Sequence, residues 1–273
     1  MSTSEKRKNR VTIKDVAKAA NVSIATVSYV LNNTPGQSIS DDTRKKVVQF
    51  ANLLGYECNV MARYLATGKS NTVSALVKGF EPFASQYYTK LLTELSRILW
   101  QRNFGLKIVD YADGFKRNTD CDAYITLALS ENEFRTFADT KLIPVIAVDS
   151  VFEDFLFYRI NDDFESLYEY AKTELGASEI TLVTFALPPE VQAAAKAVFD
   201  DVITVETARD ILSIDVSKHY ATVSSAIRDN APEGAHIALN ERSSPLKAAA
   251  AADAVMRAID RVQNTSEEHD IRI

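Results

Sequence analysis

Five side chains within six positions, Ile24, Ala25, Thr26, Ser28 and Tyr29, could do one kind of chemistry: reading the edges of nucleotide bases. Small Ala and Ser side chains let a helix backbone come close to a groove floor, and the hydroxyls donate to or accept from base edges. Tyr29 can donate one hydrogen bond or pack its ring on a thymine methyl. It cannot make the two-pronged contact that arginine makes with guanine. Chemistry of this kind needs these residues near the exposed N-terminal end of a helix that lies in the major groove.

The flanking sequence supplies such a helix. Thr12 caps a first helix, its hydroxyl placed to accept from an amide of the opening turn, and Ile13, Val16, Ala17 and Ala20 recur at helical spacing as a small apolar stripe. Asn21 tolerates the left-handed backbone that a sharp turn requires. Ser23 caps the second helix, whose inward residues are Val27, Val30 and Leu31. After the turn-like TPGQ at 34–37, Ser40 caps a third helix, with Asp41 and Asp42 in its positive first turn. Val47, Phe50, Ala51 and Leu54 close a three-helix core, and Gly55 ends the helix.

Charge follows the same division. The chain has 273 residues and a net charge of −6, yet residues 1–70 hold 11 Lys and Arg against 5 Asp and Glu, while the rest holds 20 against 32. A basic head on an acidic body suits a protein whose small end sits on phosphates. Residues 1–10 read as a disordered basic arm and not as a signal peptide. No segment reaches the roughly 18 apolar residues that a membrane helix needs. Cys58 and Cys121 form no metal or redox pattern, which points to reduced thiols in the cytoplasm. His219, His236 and His269 show no metal-ligand spacing, and no GxSxG, P-loop or GxGxxG segment occurs. Neither catalytic residues, a metal site nor a cofactor is expected. The pairs Asp41–Asp42, Asp162–Asp163, Asp200–Asp201 and Glu267–Glu268 read as caps and solvated turns.

Residues 11–33, VTIKDVAKAANVSIATVSYVLNN, with SDDTRKKVVQFANLLGYECNVMARYLATGKSNTVSALV after them, resemble the head, hinge and first body strand of the lactose-repressor (LacI/GalR) family of bacterial transcription regulators. The similarity is uninterrupted over about the first 78 residues. It implies an all-α helix-turn-helix DNA-binding domain at 11–58. It also implies a hinge helix and linker at 59–71 and an α/β, periplasmic-binding-protein-like body of two parallel, doubly wound lobes. Eight residues, 59–66, are too few for a stable helix alone, since isolated helices below about 12–15 residues are marginal. In the family two hinge helices pair in the minor groove and a leucine wedges between base steps. Leu65 occupies that place, with Asn59, Ala62 and Arg63 beside it. Thr12, Ser23 and Asn32 are expected on phosphates and fix register, leaving base preference to residues 24–29.

From residue 72 strands and helices alternate, which argues for parallel sheets. Strands are expected at 73–78, 105–110, 122–128, 143–148, 179–185 and 235–240. Helices are expected at 85–103, 131–138, 162–175, 189–199, 217–229 and 244–263. Lobe one is placed at 72–160 and lobe two, incomplete, at 161–273. Five departures from the family stand out. The helix after the second strand is shortened, ALPPEVQAAAKAVF lacks the arginine of the effector segment, and the return crossing into lobe one has no counterpart before EEHDIRI. In the head, Tyr29 stands where a basic or imidazole group is common. Cys58 also replaces the proline common before the hinge helix. Gln86, Tyr87, Tyr88, Asp149, Asn240, Glu241 and Arg242 are the candidates for contact with a sugar or related metabolite in the crevice at the strand ends.

The reading is a cytoplasmic DNA-binding regulator, a repressor, acting as a homodimer on a pseudo-palindromic double-stranded operator and modulated by a small molecule. In the alternative the body is an effector-free platform for dimerisation or protein interaction. A plain sugar-binding module is the remote alternative, against which the head and the polar N-terminus argue.

Overall fold

The computed structural model describes residues 11–31, 36–56, 70–115, 121–261 and 269–273. The chain forms two compact units, Met1–Gly68 and Lys69–Ile273. The proposed arm at 1–10, Asn32 and the whole hinge (Asn59, Ala62, Arg63 and Leu65) lie outside the described residues.

The head holds α1 (Ile13–Ala20), α2 (Ile24–Leu31) and α3 (Asp41–Leu54). Asn21 takes the left-handed conformation at φ 55°, the turn that the sequence demands between α1 and α2. Ser40 Oγ accepts from Thr43 N at 3.3 Å. Gly55, at φ 66°, closes α3 with its N–H on the Ala51 and Asn52 carbonyls. Val16, Val27 and Val47 are fully excluded from water, with Ala17, Ala20, Val30 and Ala51 packed around them. Burying each valine contributes about 1.5–3 kcal/mol, so this small core leans on its caps and turn as well.

The body holds two parallel sheets. The first has the order β10-β5-β4-β3-β1-β2, built from β1 (Thr72–Val77), β2 (Gly105–Asp110), β3 (Ala123–Leu127), β4 (Val145–Val148), β5 (Arg159–Asn161) and β10 (Asp270–Arg272). The second has the order β7-β6-β8-β9, from β6 (Thr181–Thr184), β7 (Asp201–Thr204), β8 (His219–Thr222) and β9 (His236–Leu239). The helices are α4 (Pro82–Gln101), α5 (Glu131–Ala138), α6 (Phe164–Leu175), α7 (Pro189–Lys196), α8 (Ala208–Leu212), α9 (Ser225–Asp229) and α10 (Ser243–Ile259).

Strands buried on both faces explain the near-continuous apolar runs. Val73, Ile125, Ile146 and Val148 point to a central core shared with α4, α10 and, from the second sheet, Val183 and Tyr220. The alternate residues Leu76, Tyr124, Val145 and Ala147 face α5 through Phe134 and Phe137. In the second sheet Leu182, Ala221 and Ala238 face α6 and α7. Helix α10 buries Ala248, Ala251, Ala252 and Val255, spacing that keeps small side chains on one face against α4.

Between β2 and β3 the described residues hold only a 3₁₀ turn, Asp113–Phe115, as the shortened sequence implies. Gly114 lies flush on the sheet: a Cβ there would meet Leu76 Cδ1 at 2.9 Å.

Three expectations need correction. Residues 217–229 are not one helix but β8 followed by α9, because Tyr220 and Ala221 alternate between two apolar layers. Strand β7 and helix α8 arise between 199 and 217, where no element is expected. The chain also does return to the first sheet, since β10 pairs in parallel with β5, Ile271 opposite Ile160. The short DIR segment is stabilised there by pairing, which its own composition does not announce.

Candidate nucleic-acid interface

In the head, Thr12 N donates to Asp15 Oδ2 at 2.8 Å and the Thr12 hydroxyl to the same oxygen at 2.7 Å. Its hydroxyl proton is therefore given to Asp15, which holds the first turn and has its carboxyl pulled below the ordinary value by these two bonds. Ser23 Oγ accepts from Thr26 N at 3.0 Å and shares a proton with Thr26 Oγ1 at 2.8 Å. The cap thus points Ser23 and Thr26 at one another at the start of α2.

Of the residues expected to read bases, Ile24 (45% exposed), Ala25 and Tyr29 (37%) are open to solvent, and Thr26 and Ser28 are half-buried. Val27 and Val30, one helical face away, are buried in the core. Helix α2 has no charged side chain, so positive charge comes from Lys14 and Lys18 on α1 and Arg44, Lys45 and Lys46 on α3. The exposed face of α2 is thus uncharged, and the cations of the described head lie on the two neighbouring helices.

The body's expected effector residues have a different fate. Tyr87, Tyr88 and Asp149 are buried and occupied internally. Lys247 of α10, fully buried, donates to Asp149 Oδ1 and, at 2.6 Å, to Asp162 Oδ2. Tyr88 OH donates to Asp149 Oδ2 at 2.9 Å. Ser243 donates to Asp162 Oδ1, so Tyr87 OH must donate to Ser243 Oγ, 2.9 Å away. Every polar group that could meet a ligand here meets the chain itself.

Burial opposes charge on Lys247, but Asp149 and Asp162 outweigh it and hold the ammonium well above its ordinary value. Burial likewise pushes the Asp149 carboxyl up, against the pull of Lys247, and raises both tyrosine hydroxyls. Asp149 sits at φ 53°, a left-handed backbone fixed by its N–H on the Ile160 carbonyl.

Gln86 and Glu241 do come together, lining a cavity of about 210 Å³ with Tyr87, Lys90, Ser225 and Ser244. Asn240 accepts from Arg242 N at 3.1 Å, and neither of these two residues lines that cavity. Sequence reasoning missed Lys247, Ser243 and Asp162. Asp162 is no solvated turn residue; only its neighbour Asp163 caps a helix, accepting from Ser166 N at 3.0 Å. A signal for Lys247 existed, since it shares the helical face of Ser243, Ser244, Ala248 and Ala251, where a lysine must find partners.

Comparison with known proteins agrees with the geometry. Residues 12–59 match the profile of "Bacterial regulatory proteins, lacI family". The uncharacterized HTH-type transcriptional regulator YvdE of Bacillus subtilis is 28% identical over 180 residues, covering 64% of this chain and 54% of that protein. The HTH-type transcriptional regulator RegA of Clostridium acetobutylicum is 40% identical over 149 residues, 50% of this chain and 43% of its own length. The chain thus spans about half the length of these relatives. Among solved structures, the lac repressor dimer bound to operator and the anti-inducer ONPF superimposes with a TM-score of 0.67 at 15% identity, covering 97% of this chain and 96% of that one. Residues 12–59 are thus similar to bacterial regulatory proteins of the lacI family, and the chain shares the fold of the lac repressor.

Proposed function

We propose that this chain is a sequence-specific, DNA-binding transcriptional regulator, a cytoplasmic repressor that acts as a homodimer on a pseudo-palindromic operator. The observation that carries this reading is the exposed, uncharged face of α2, with Ile24, Ala25 and Tyr29 standing clear of a core made by Val27 and Val30. YvdE and RegA are named as transcriptional regulators, and the lac repressor was crystallised as a dimer on its operator. Relatives of this kind are regulators, not enzymes. Thr12, Ser23 and Asn32 hold phosphates, residues 24–29 select bases, and Leu65, with Asn59, Ala62 and Arg63, works in the minor groove. Repression follows from occlusion of the polymerase.

Selection of bound duplexes from a random pool by the purified full chain tests this. A two-fold symmetric consensus is the expected result, and replacing Leu65 with Ala should weaken binding and reduce bending of the selected duplex. Equal affinity for the selected duplex and random competitor at moderate salt would overturn the reading.

For the body a second reading is favoured by one observation, the closed Lys247–Asp149–Asp162 cluster. Tyr87, Tyr88 and Asp149 then serve cohesion of a dimerisation platform and not recognition of a sugar.

A further inference from the structure

Along the chain His219 and His236 are far apart and show no metal-ligand spacing, but the second sheet sets them side by side. Strands β8 and β9 pair in parallel with His219 opposite His236 and Ala221 opposite Ala238. Both alanines face the core beneath α6 and α7, so the two-residue period of a strand carries both imidazoles to that same face. They stand at the amino ends of the strands, the end away from the residues expected to touch an effector. There His236 is exposed and His219 half-buried.

The ring centres lie 5.3 Å apart with the planes inclined by 29°. A tetrahedral ion held at about 2.0–2.1 Å by one nitrogen of each imidazole puts the ring centres about 5 Å apart. The pair therefore stands at chelating distance already. Among the described residues His269 meets the Phe155 carbonyl at 2.8 Å, whereas no hydrogen bond or ion pair occupies the ring nitrogens of His219 and His236.

Charge at this end of the sheet favours a cation. The segments leading into the four strands, 176–181, 199–201, 213–219 and 230–236, carry Glu179, Asp200, Asp201, Asp215 and Glu233 against Lys218 alone. Imidazole nitrogen selects borderline transition ions over Mg²⁺, which prefers oxygen ligands. No group of three His, Cys, Asp or Glu able to hold an ion occurs among the described residues, so water takes the other coordination positions.

We propose that His219 and His236 form a two-imidazole site for one divalent transition-metal ion of the Zn²⁺ and Ni²⁺ class. The ion ties β9, the edge strand of the second sheet, to β8. An edge strand is held on one side only, so a clip at its start opposes local opening.

Zn²⁺, Ni²⁺ and Mg²⁺ are titrated into the full chain, stripped of metal beforehand, in a mildly alkaline, non-chelating buffer. Calorimetry, thermal unfolding and hydrogen exchange are the readouts. Zn²⁺ and Ni²⁺ should bind in equimolar amount at micromolar concentration, raise the unfolding midpoint and slow exchange in His236–Leu239, and Mg²⁺ should do none of these. His236→Ala, at an exposed ring, should leave the unliganded midpoint unchanged and weaken Zn²⁺ about tenfold or more, because one arm of the chelate is gone. His219→Ala should weaken it similarly, while Cys58→Ser and His269→Ala should leave Zn²⁺ binding as it is. No binding of Zn²⁺ at micromolar concentration, an equal response to Mg²⁺, or undiminished binding in the His219 or His236 variant would overturn the assignment. Loss of binding in the Cys58 or His269 variant would overturn it as well.

Discussion

Head and body use polar side chains in opposite ways. In the head, the hydroxyls of Ser23 and Thr26 and the ring of Tyr29 stay at or near the surface, and the buried centre among the described residues is valine and alanine, with Ile13, Leu31, Phe50 and Leu54 packed partly buried around it. In the body, Tyr87, Tyr88, Asp149 and Lys247 are drawn inside and consumed by one another. The lesson is that exposed polar groups stand apart from the core in the first unit, whereas in the second polar groups are part of the core. A surface hydroxyl can be exchanged at little cost to folding, whereas a buried charge cannot lose its partner cheaply.

The largest effect should come from Lys247→Met. It leaves Asp149 and Asp162 buried without their cation, which costs about 3–5 kcal/mol in urea unfolding of the body. The pH dependence sharpens this. The folded value of Lys247 lies above its ordinary 10.5, and those of Tyr87 and Tyr88 above 10.0. A raised folded value gives stability that is fully present below the ordinary value and is lost as pH climbs through the folded one. The body should therefore weaken in strongly alkaline solution, and the Met variant should show a flatter alkaline limb. A variant as stable as the parent would mean that the cluster is not what closes the body.

Tyr29→Ala should leave the head's unfolding midpoint nearly unchanged but lower discrimination between selected and random duplex by about 1 kcal/mol, roughly fivefold. Competition binding at fixed salt reads this. A loss of folding instead of discrimination would break the division drawn for the head. The smallest effect is expected for Ser40→Ala, which removes the Thr43 N–H acceptor at the start of α3 and should cost about 1 kcal/mol of head stability by circular dichroism.

Much of the head could be read in advance because its determinants are local. Asn21 at the turn, Ser23 and Ser40 as caps, Gly55 as the stop and the valine spacing each act within a few residues. Thr12 does more than was expected there: besides its place in a capping box with Asp15, its hydroxyl donates to the Asp15 carboxylate. In the body, β2 and α5 were legible over Gly105–Asp110 and Glu131–Ala138, where strand and helix periods are clean. The stretch 217–229 was not, because four residues of strand and five of helix are each shorter than the window in which a period can be recognised.

The sequence by itself determined the helix boundaries of the head, the exposed face of α2, the parallel rhythm of the body and the short connection between β2 and β3. Only the tertiary structure decided that Lys247 would close on Asp149, 98 positions away, and that β10 would rejoin the first sheet beside β5. The reason is the range of the forces involved. Caps, turns and periodicity are set by neighbours along the chain, whereas pairing of buried charges and strands depends on which distant groups packing brings within reach.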